Sequence, residues 1–151
     1  MDGPETPPLP GFAIREYADA TDRLAVVALW DGAFPGSPSG ASLRVIDRKA
    51  TVSDGLFFVA ADAAGVLGTV VAGYDGHRGW IYFLVVAQAK RRRGIGAALL
   101  AHAEAALGKR GCGKVCLQVS DTSTDIVRLY QKLGYKVEPR VSMAKVIAPP
   151  S

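Results

Sequence analysis

The sequence predicts a mixed α/β domain, helices packed on a largely antiparallel sheet, and three observations carry that prediction. Three β-rich runs follow one another between residues 56 and 86 with short turn signals between them. The apolar period then changes from two to 3.6 over residues 95–107. A further β-rich run at 114–119 sits one helix away, the length of a crossover between parallel strands.

The elements are read in chain order. Phe12 to Tyr17 alternates apolar and polar residues as a short strand does. Asp19 to Thr21 supplies capping residues, and from Asp22 the residues Leu24, Val27, Ala28 and Leu29 fall at helical spacing until Gly32 and Pro35. A Gly/Pro/Ser loop at 34–40 precedes a second helix at 41–51, with Leu43, Ile46 and Ala50 on one face. Leu56 to Ala61, the turn Ala64-Gly65 and Val66 to Tyr74 form a hairpin, and Asp75-Gly76-His77-Arg78-Gly79 turns the chain into Trp80 to Val86. Ile95, Leu99, His102 or Ala103, and Ala106 with Leu107 mark a helix ending near Gly108, which makes 80–86 and 114–119 parallel neighbours. Ser123 or Thr124 caps a helix carrying Ile126, Leu129, Tyr130 and Leu133 on one side and stopped by Gly134, and Tyr135 to Ile147 supplies one or two closing strands. The order is β-α-α-β-β-β-α-β-α-β(-β), one domain over residues 12–148 after a disordered Pro-rich tail at 1–11.

Bulk properties exclude several classes. The chain is 151 residues, 49% apolar and 21% charged, which describes a globular protein with a sufficient core. Its longest strongly apolar run, Ile81 to Ala87, is well below the roughly 20 residues of a membrane-spanning helix, and no secretory signal is read in the first residues. A cytoplasmic protein with no membrane contact is expected. Cys112 and Cys116 lack a second ligand pair, so they read as reduced thiols, and no metal is expected. Eighteen Lys and Arg against fourteen Asp and Glu favour an anionic ligand.

Four of those positive charges are consecutive, Lys90 to Arg93, between the end of a strand and the start of a helix. The first amides of a helix lack intrahelical partners and the positive end of its dipole lies there, so phosphate binds such a junction well. Gly94 and Gly96 keep side chains away from those amides, and Arg91, Arg92 and Arg93 add charge-assisted contacts. No dinucleotide G-x-G-x-x-G stretch near the first strand and no Walker G-x-x-x-x-G-K-S/T is present. No aromatic residues interleave with the charges, which sets nucleic acid aside.

Arg91-Arg92-Arg93-Gly94-Ile95-Gly96, followed by Ala97-Ala98-Leu99-Leu100, resembles the Q/R-x-x-G-x-G/A segment of the GNAT acetyltransferases. Leu129-Tyr130-Gln131-Lys132-Leu133-Gly134-Tyr135 resembles the same family's L-Y-x-K-x-G-F/Y segment. The stretch Gly68-Thr69-Val70-Val71-Ala72-Gly73-Tyr74-Asp75-Gly76-His77-Arg78-Gly79 is similar to that of the small bacterial YpeA-type acetyltransferases, whose acceptors are poorly defined. The resemblance spans 12–147 and implies the GNAT acyl-CoA N-acyltransferase fold, an acetyl-CoA cosubstrate and a primary-amine acceptor on a small molecule, peptide or protein lysine. It leaves acyl-chain preference and oligomeric state open, a homodimer among the options. The alternative function is an acyl-CoA-binding sensor or partner subunit with weak catalysis.

The resemblance also implies roles. Leu84, Val85 and Val86 offer main-chain groups to the pantetheine arm; Arg91, Arg92, Arg93, Gly94, Ile95, Gly96 and Ala97 hold the pyrophosphate; Tyr130 protonates the departing thiolate. Ser123 stands where many relatives carry an asparagine that touches the pantetheine, and Trp80 stands where some carry a glutamate base. Tryptophan is no base, so Asp75, His77, Glu16 or a water relay touching Tyr82 are the candidates. Turn geometry alone also explains Asp75. His102 reads as a packed histidine, and Trp30, Phe34 and the loop after them mark the acceptor side.

Overall fold

A computed structural model describes residues 11–91 and 93–148. Arg92 and, apart from Gly11, the whole predicted tail lie outside the described residues. The elements are β1 (Ala13–Glu16), α1 (Asp19–Ala33), α2 (Ala41–Val52), β2 (Phe57–Asp62), β3 (Gly65–Tyr74), β4 (Gly79–Val86), a single 3-10 turn (Gln88–Lys90), α3 (Ile95–Gly108), β5 (Val115–Leu117) and α4 (Thr124–Lys132). The described chain forms two compact units, one ending at Leu117 and the other beginning at Gln118, where the sequence reads as one domain over 12–148.

The first unit carries a five-stranded sheet in the order β1-β2-β3-β4-β5, antiparallel from β1 to β4 and parallel between β4 and β5. The meander and the parallel crossover are those read from the sequence. The β2–β3 turn closes on Asp62, whose Oδ1 accepts N–H bonds from Ala64 at 2.8 Å and Gly65 at 3.2 Å. β5 is shorter than expected, three residues against six.

Helices cover both faces. On one, Val26 and Trp30 of α1 and Ile46 of α2 form a cluster with Phe57, Val59, Val71 and Val85. On the other, α3 buries Ile95, Leu99, Leu100, Ala103 and Leu107 against β1 to β4. Gly68 and Gly79 allow that approach: a Cβ on Gly68 would stand 3.1 Å from Leu99 Cδ1, and one on Gly79 3.0 Å from Leu107 Cδ1. Fully burying each Leu or Ile there is worth about 1.5–3 kcal/mol.

The stripe of α1 differs from expectation. Asp22, Val26 and Trp30, spaced i, i+4, face inward, while Leu24 is 84% exposed and Ala28 is exposed. The helix begins three residues early because Asp22 organises its start from within. Its carboxylate takes both Arg15 guanidinium nitrogens, at 2.6 and 2.8 Å, and the Ala18 N–H at 2.8 Å. No side chain from Asp19 to Thr21 acts as the cap. In α2, Ile46 is buried as expected, and Leu43 and Ala50 are exposed.

In the second unit, α4 starts at Ser123, which makes no side-chain cap bond. Its end matches the sequence reading: Gly134 has φ +97, its N–H bonds Gln131 O, and the Tyr135 N–H bonds Tyr130 O at 3.0 Å. The closing strands expected over 135–147 are absent from the structure. Val137, Val141, Met143, Val146 and Ile147 are all more than two-thirds exposed, and Ile126, Leu129 and Leu133 are 37–55% exposed, so the apolar side of α4 is not the buried face its spacing suggested. No described helix is long and apolar enough to cross a membrane.

Candidate active site

β4 is where the sheet becomes irregular. Val71 pairs with Tyr82 but Thr69 pairs with Val85, so Phe83 and Leu84 together oppose Val70 in a β-bulge. Phe83 has φ +49, a left-handed conformation unusual for a non-glycine residue. Three contacts hold it. Its carbonyl accepts the Thr69 hydroxyl at 2.8 Å, and that same Oγ1 accepts the Trp30 Nε1–H at 2.9 Å. Its ring stacks on Trp30 at 4.2 Å and meets Phe34 edge-on at 5.8 Å.

The extra residue changes the phase of the strand. Before it, odd-numbered residues turn their main-chain groups toward β5, as the bond from Gly79 N–H to Lys114 O shows. After it, Ala87 N–H is bonded to Leu67 O on the β3 side, so the main-chain groups of Val86 face the outer edge. The β4–β5 ladder stops at Ile81 opposite Leu117, leaving the edge from Tyr82 to Val86 beyond the end of β5. This is the edge that Leu84, Val85 and Val86 were expected to offer, except that Val85 pairs with Thr69 and turns its own main chain toward β3. The Val85 side chain is buried on the α1 face.

The loop that follows runs through the 3-10 turn to Gly94, which enters α3 with φ +78. Here the requirement for glycine is conformational, since an added Cβ would meet nothing within 4 Å. At Gly96 a Cβ would lie 3.6 Å from Val86 Cγ2, ordinary contact, so nothing in the protein itself demands glycine there. The first intrahelical bond is Ala98 N–H to Gly94 O, which leaves the amides of Ile95, Gly96 and Ala97 at an open, positive helix start. Ile95 offers only main chain, because its side chain is 1% exposed. Arg91 is exposed with Nε 3.5 Å from Val86 O, and Arg93 lays its guanidinium against Gly11. These groups fit a pyrophosphate through amides and exposed cationic side chains.

The region of the chain that builds this edge and loop matches the family model described as "Acetyltransferase (GNAT) domain" over residues 53–137. The chain belongs to the GNAT acetyltransferase family. An acetyltransferase of Pectobacterium atrosepticum is 36% identical over 124 residues, covering 82% of this chain and 88% of the relative. One from Sodalis glossinidius is 37% identical over 120 residues, covering 80% and 84%. Among solved structures, the aminoglycoside N-acetyltransferase AAC(6')-Iy in complex with CoA superposes with TM-score 0.74 at 20% identity, covering 91% of this chain and 95% of that one. The glucosamine-6-phosphate N-acetyltransferase of Arabidopsis thaliana gives 0.69 at 19% identity, covering 91% and 99%. Both share the fold. The chain is thus a GNAT acyltransferase, a family of enzymes that use acetyl-CoA.

The base candidates are spread out. Asp75 is committed to its turn: one carboxylate oxygen accepts the N–H groups of His77 and Arg78, each at 2.7 Å, which lowers its pKa. His77 sits in the same turn, its ring nitrogen 3.3 Å from Arg78 Nη1. At about 3.3 Å per residue, that turn is about 13 Å or more along β4 from the bulge, since β4 begins at Gly79. Glu16 lies on β1, three strand spacings or about 14 Å from β4, beside a depression of about 710 Å3 that it shares with Tyr17, Lys49 and Asp54. Tyr82, half exposed, directly precedes the bulge.

In the second unit Tyr130 lies seven residues beyond Ser123 on α4, its ring edge-on to Tyr135 at 5.7 Å. Burial raises its pKa, so the phenol stays protonated at neutral pH. Trp30, expected on the acceptor side, is fully buried, leaving Phe34 as the exposed aromatic of that segment. His102 packs edge-on against Phe58 at 4.5 Å, and burial, followed by Lys109, lowers its pKa. Both cysteines are free thiols, and no metal-binding cluster occurs among the described residues. The sequence reading missed the bulge itself: Ile81-Tyr82-Phe83-Leu84-Val85 reads as uninterrupted strand, with no glycine at the position that adopts positive φ.

Proposed function

We propose that the chain transfers the acetyl group of acetyl-CoA to a primary amine by direct attack, with both substrates bound together in a domain running over residues 12–148. The observation that carries this reading is the continuity of the β4 edge with an open helix start. Main-chain groups that continue no β5 ladder lead, within a dozen residues, to the unpartnered amides of α3. An extended arm ending in a pyrophosphate matches that sequence of donors.

Leu84 and Val86 are assigned to the pantetheine arm, with Val85 between them holding the strand to β3, and Arg91 through Ala97 to the pyrophosphate. Tyr130 takes the acid's part on its match to the family tyrosine and on a phenol that remains protonated at working pH. As the carbon–sulfur bond breaks, negative charge grows on sulfur and a positioned phenol donates to it. Ser123 is the hydroxyl counterpart of the asparagine of relatives. The distances of Asp75, His77 and Glu16 from the bulge favour a water, near Tyr82, as the route by which the acceptor ammonium loses its proton. The finer likeness of Gly68–Gly79 to the YpeA-type enzymes belongs to this proposal too and names no acceptor.

The test is an acceptor screen over primary amines with acetyl-CoA, read by release of coenzyme thiol. Acceptor-dependent release is expected. Tight acetyl-CoA binding without release for any amine would replace this reading with that of an acyl-CoA sensor.

A further inference from the structure

We propose that Thr69, seated by Trp30, is a positioning residue for acyl transfer: its hydroxyl holds the β4 bulge, and the bulge sets which main-chain groups of β4 meet the acetyl-CoA thioester. The proposal rests on the acetyl-transfer reading above. Thr69 belongs to β3 and is 0% exposed, among apolar neighbours where a hydroxyl persists only with partners. It uses both capacities of its one oxygen, donating to Phe83 O and accepting from Trp30 Nε1.

Phe83 needs that partner. Its carbonyl sits where the β3–β4 ladder is broken, and its positive φ is one that an aromatic residue leaves unless held. Valine at position 69 would fill the same volume and leave both the Phe83 carbonyl and the Trp30 indole N–H without partners. The bulge would then be free to relax, and the strand downstream would lose its fixed phase. Stability alone does not exhaust the effect, because that phase is what turns the Val86 main chain outward. An edge N–H that donates to the thioester oxygen polarises it only when aimed. A displacement of about one ångström in such an arrangement costs on the order of 10²-fold in rate. Coenzyme affinity, carried mainly by the loop and helix start beyond the bulge, is much less sensitive.

The experiment compares wild type, Thr69→Val, Thr69→Ser and Trp30→Phe. Carbonyl-13C acetyl-CoA reports thioester polarisation by infrared difference spectroscopy, calorimetry gives its Kd, and steady-state kinetics on the best amine gives kcat. Wild type is expected to lower the carbonyl frequency on binding. Thr69→Val should lose most of that shift and about 10- to 100-fold in kcat, with Kd nearly unchanged, and Thr69→Ser should restore both. Wild-type frequency and kcat in folded Thr69→Val would overturn the proposal, as would equal losses in the Val and Ser variants. Should Thr69→Val fail to fold, Trp30→Phe carries the test, since it removes the indole N–H that seats the Thr69 hydroxyl while keeping a smaller aromatic ring there; a wild-type frequency and kcat there would be equally fatal. Acetyl-CoA binding without turnover in wild type defeats the transfer reading alone, because the frequencies still judge Thr69. No binding at all defeats both.

Discussion

Gly96 separates the stability of the protein from its affinity for the coenzyme. It is the second residue of α3, and a methyl there meets only Val86 Cγ2 at ordinary contact distance. Replacing glycine by alanine in a helix gains about 0.5–1 kcal/mol. Near 2–4 °C per kcal/mol for a chain of this size, Gly96→Ala should therefore melt about 1–4 °C above wild type without ligand. Gly96→Glu should fold as well, since a carboxylate in the first turn of a helix gains about 0.3–1 kcal/mol from the dipole. With CoA at a hundred times its Kd, mass action adds about 2.7 kcal/mol to the wild type, a rise of roughly 5–11 °C. In Gly96→Glu the carboxylate competes with the pyrophosphate for the same amides, and the rise should fall below about 2 °C. Differential scanning fluorimetry across a CoA titration measures all of these. An equal rise in Gly96→Glu and wild type would refute the placement of the pyrophosphate at the start of α3.

Tyr130→Phe should lower kcat on the order of 10²-fold with calorimetric CoA affinity little changed, the mark of a lost proton donor; wild-type kcat with acyl transfer rate-limiting would make the tyrosine a packing residue. Asp22→Asn removes the charge of a buried carboxylate that Arg15 grips with two nitrogens, and urea denaturation should show a loss of about 3 kcal/mol. The Arg15 hydrogen bonds lower the Asp22 pKa in the folded state. Its contribution is therefore present above the unfolded value of about 4 and disappears as pH falls through the lower folded value; a difference between Asp22→Asn and wild type that stays the same as pH falls through that range would contradict this. Asp75→Asn and His77→Gln should leave the acid limb of kcat/KM where it is, and a displaced limb in either would restore that residue as the base.

What the sequence makes legible is what short stretches of chain determine for themselves. The charge and glycines of Arg91 to Gly96 mark a helix start because backbone φ and unpaired amides are local properties, and Gly134 marks a helix end for the same reason. The inward face of α1 was harder to read, because Asp22 looks like a surface residue until Arg15, seven positions away, is brought against it. The alternation of Val141, Met143 and Ile147 resembles a strand, but alternation reports which side chains would share a face and says nothing of a partner edge. The bulge is the least legible feature. Nothing local to Phe83 favours positive φ; it is imposed by Trp30 and Thr69, from two other elements.

Because the bulge is a single residue, β4 serves two different cores: Gly79 faces the α3 layer at one end, and Val85 faces the α1 layer at the other. Length is consequently not interchangeable along this chain. The loop at 34–40 has room to gain or lose residues, since loops tolerate such changes at small entropic cost. A one-residue deletion at 83 or 84 would exchange the faces of everything between the bulge and α3, sending Val86 into the aromatic layer and Val85 against the helix. Insertions and deletions in descendants of this sequence should therefore gather in the first place and be excluded from the second, even though both are equally silent in its composition.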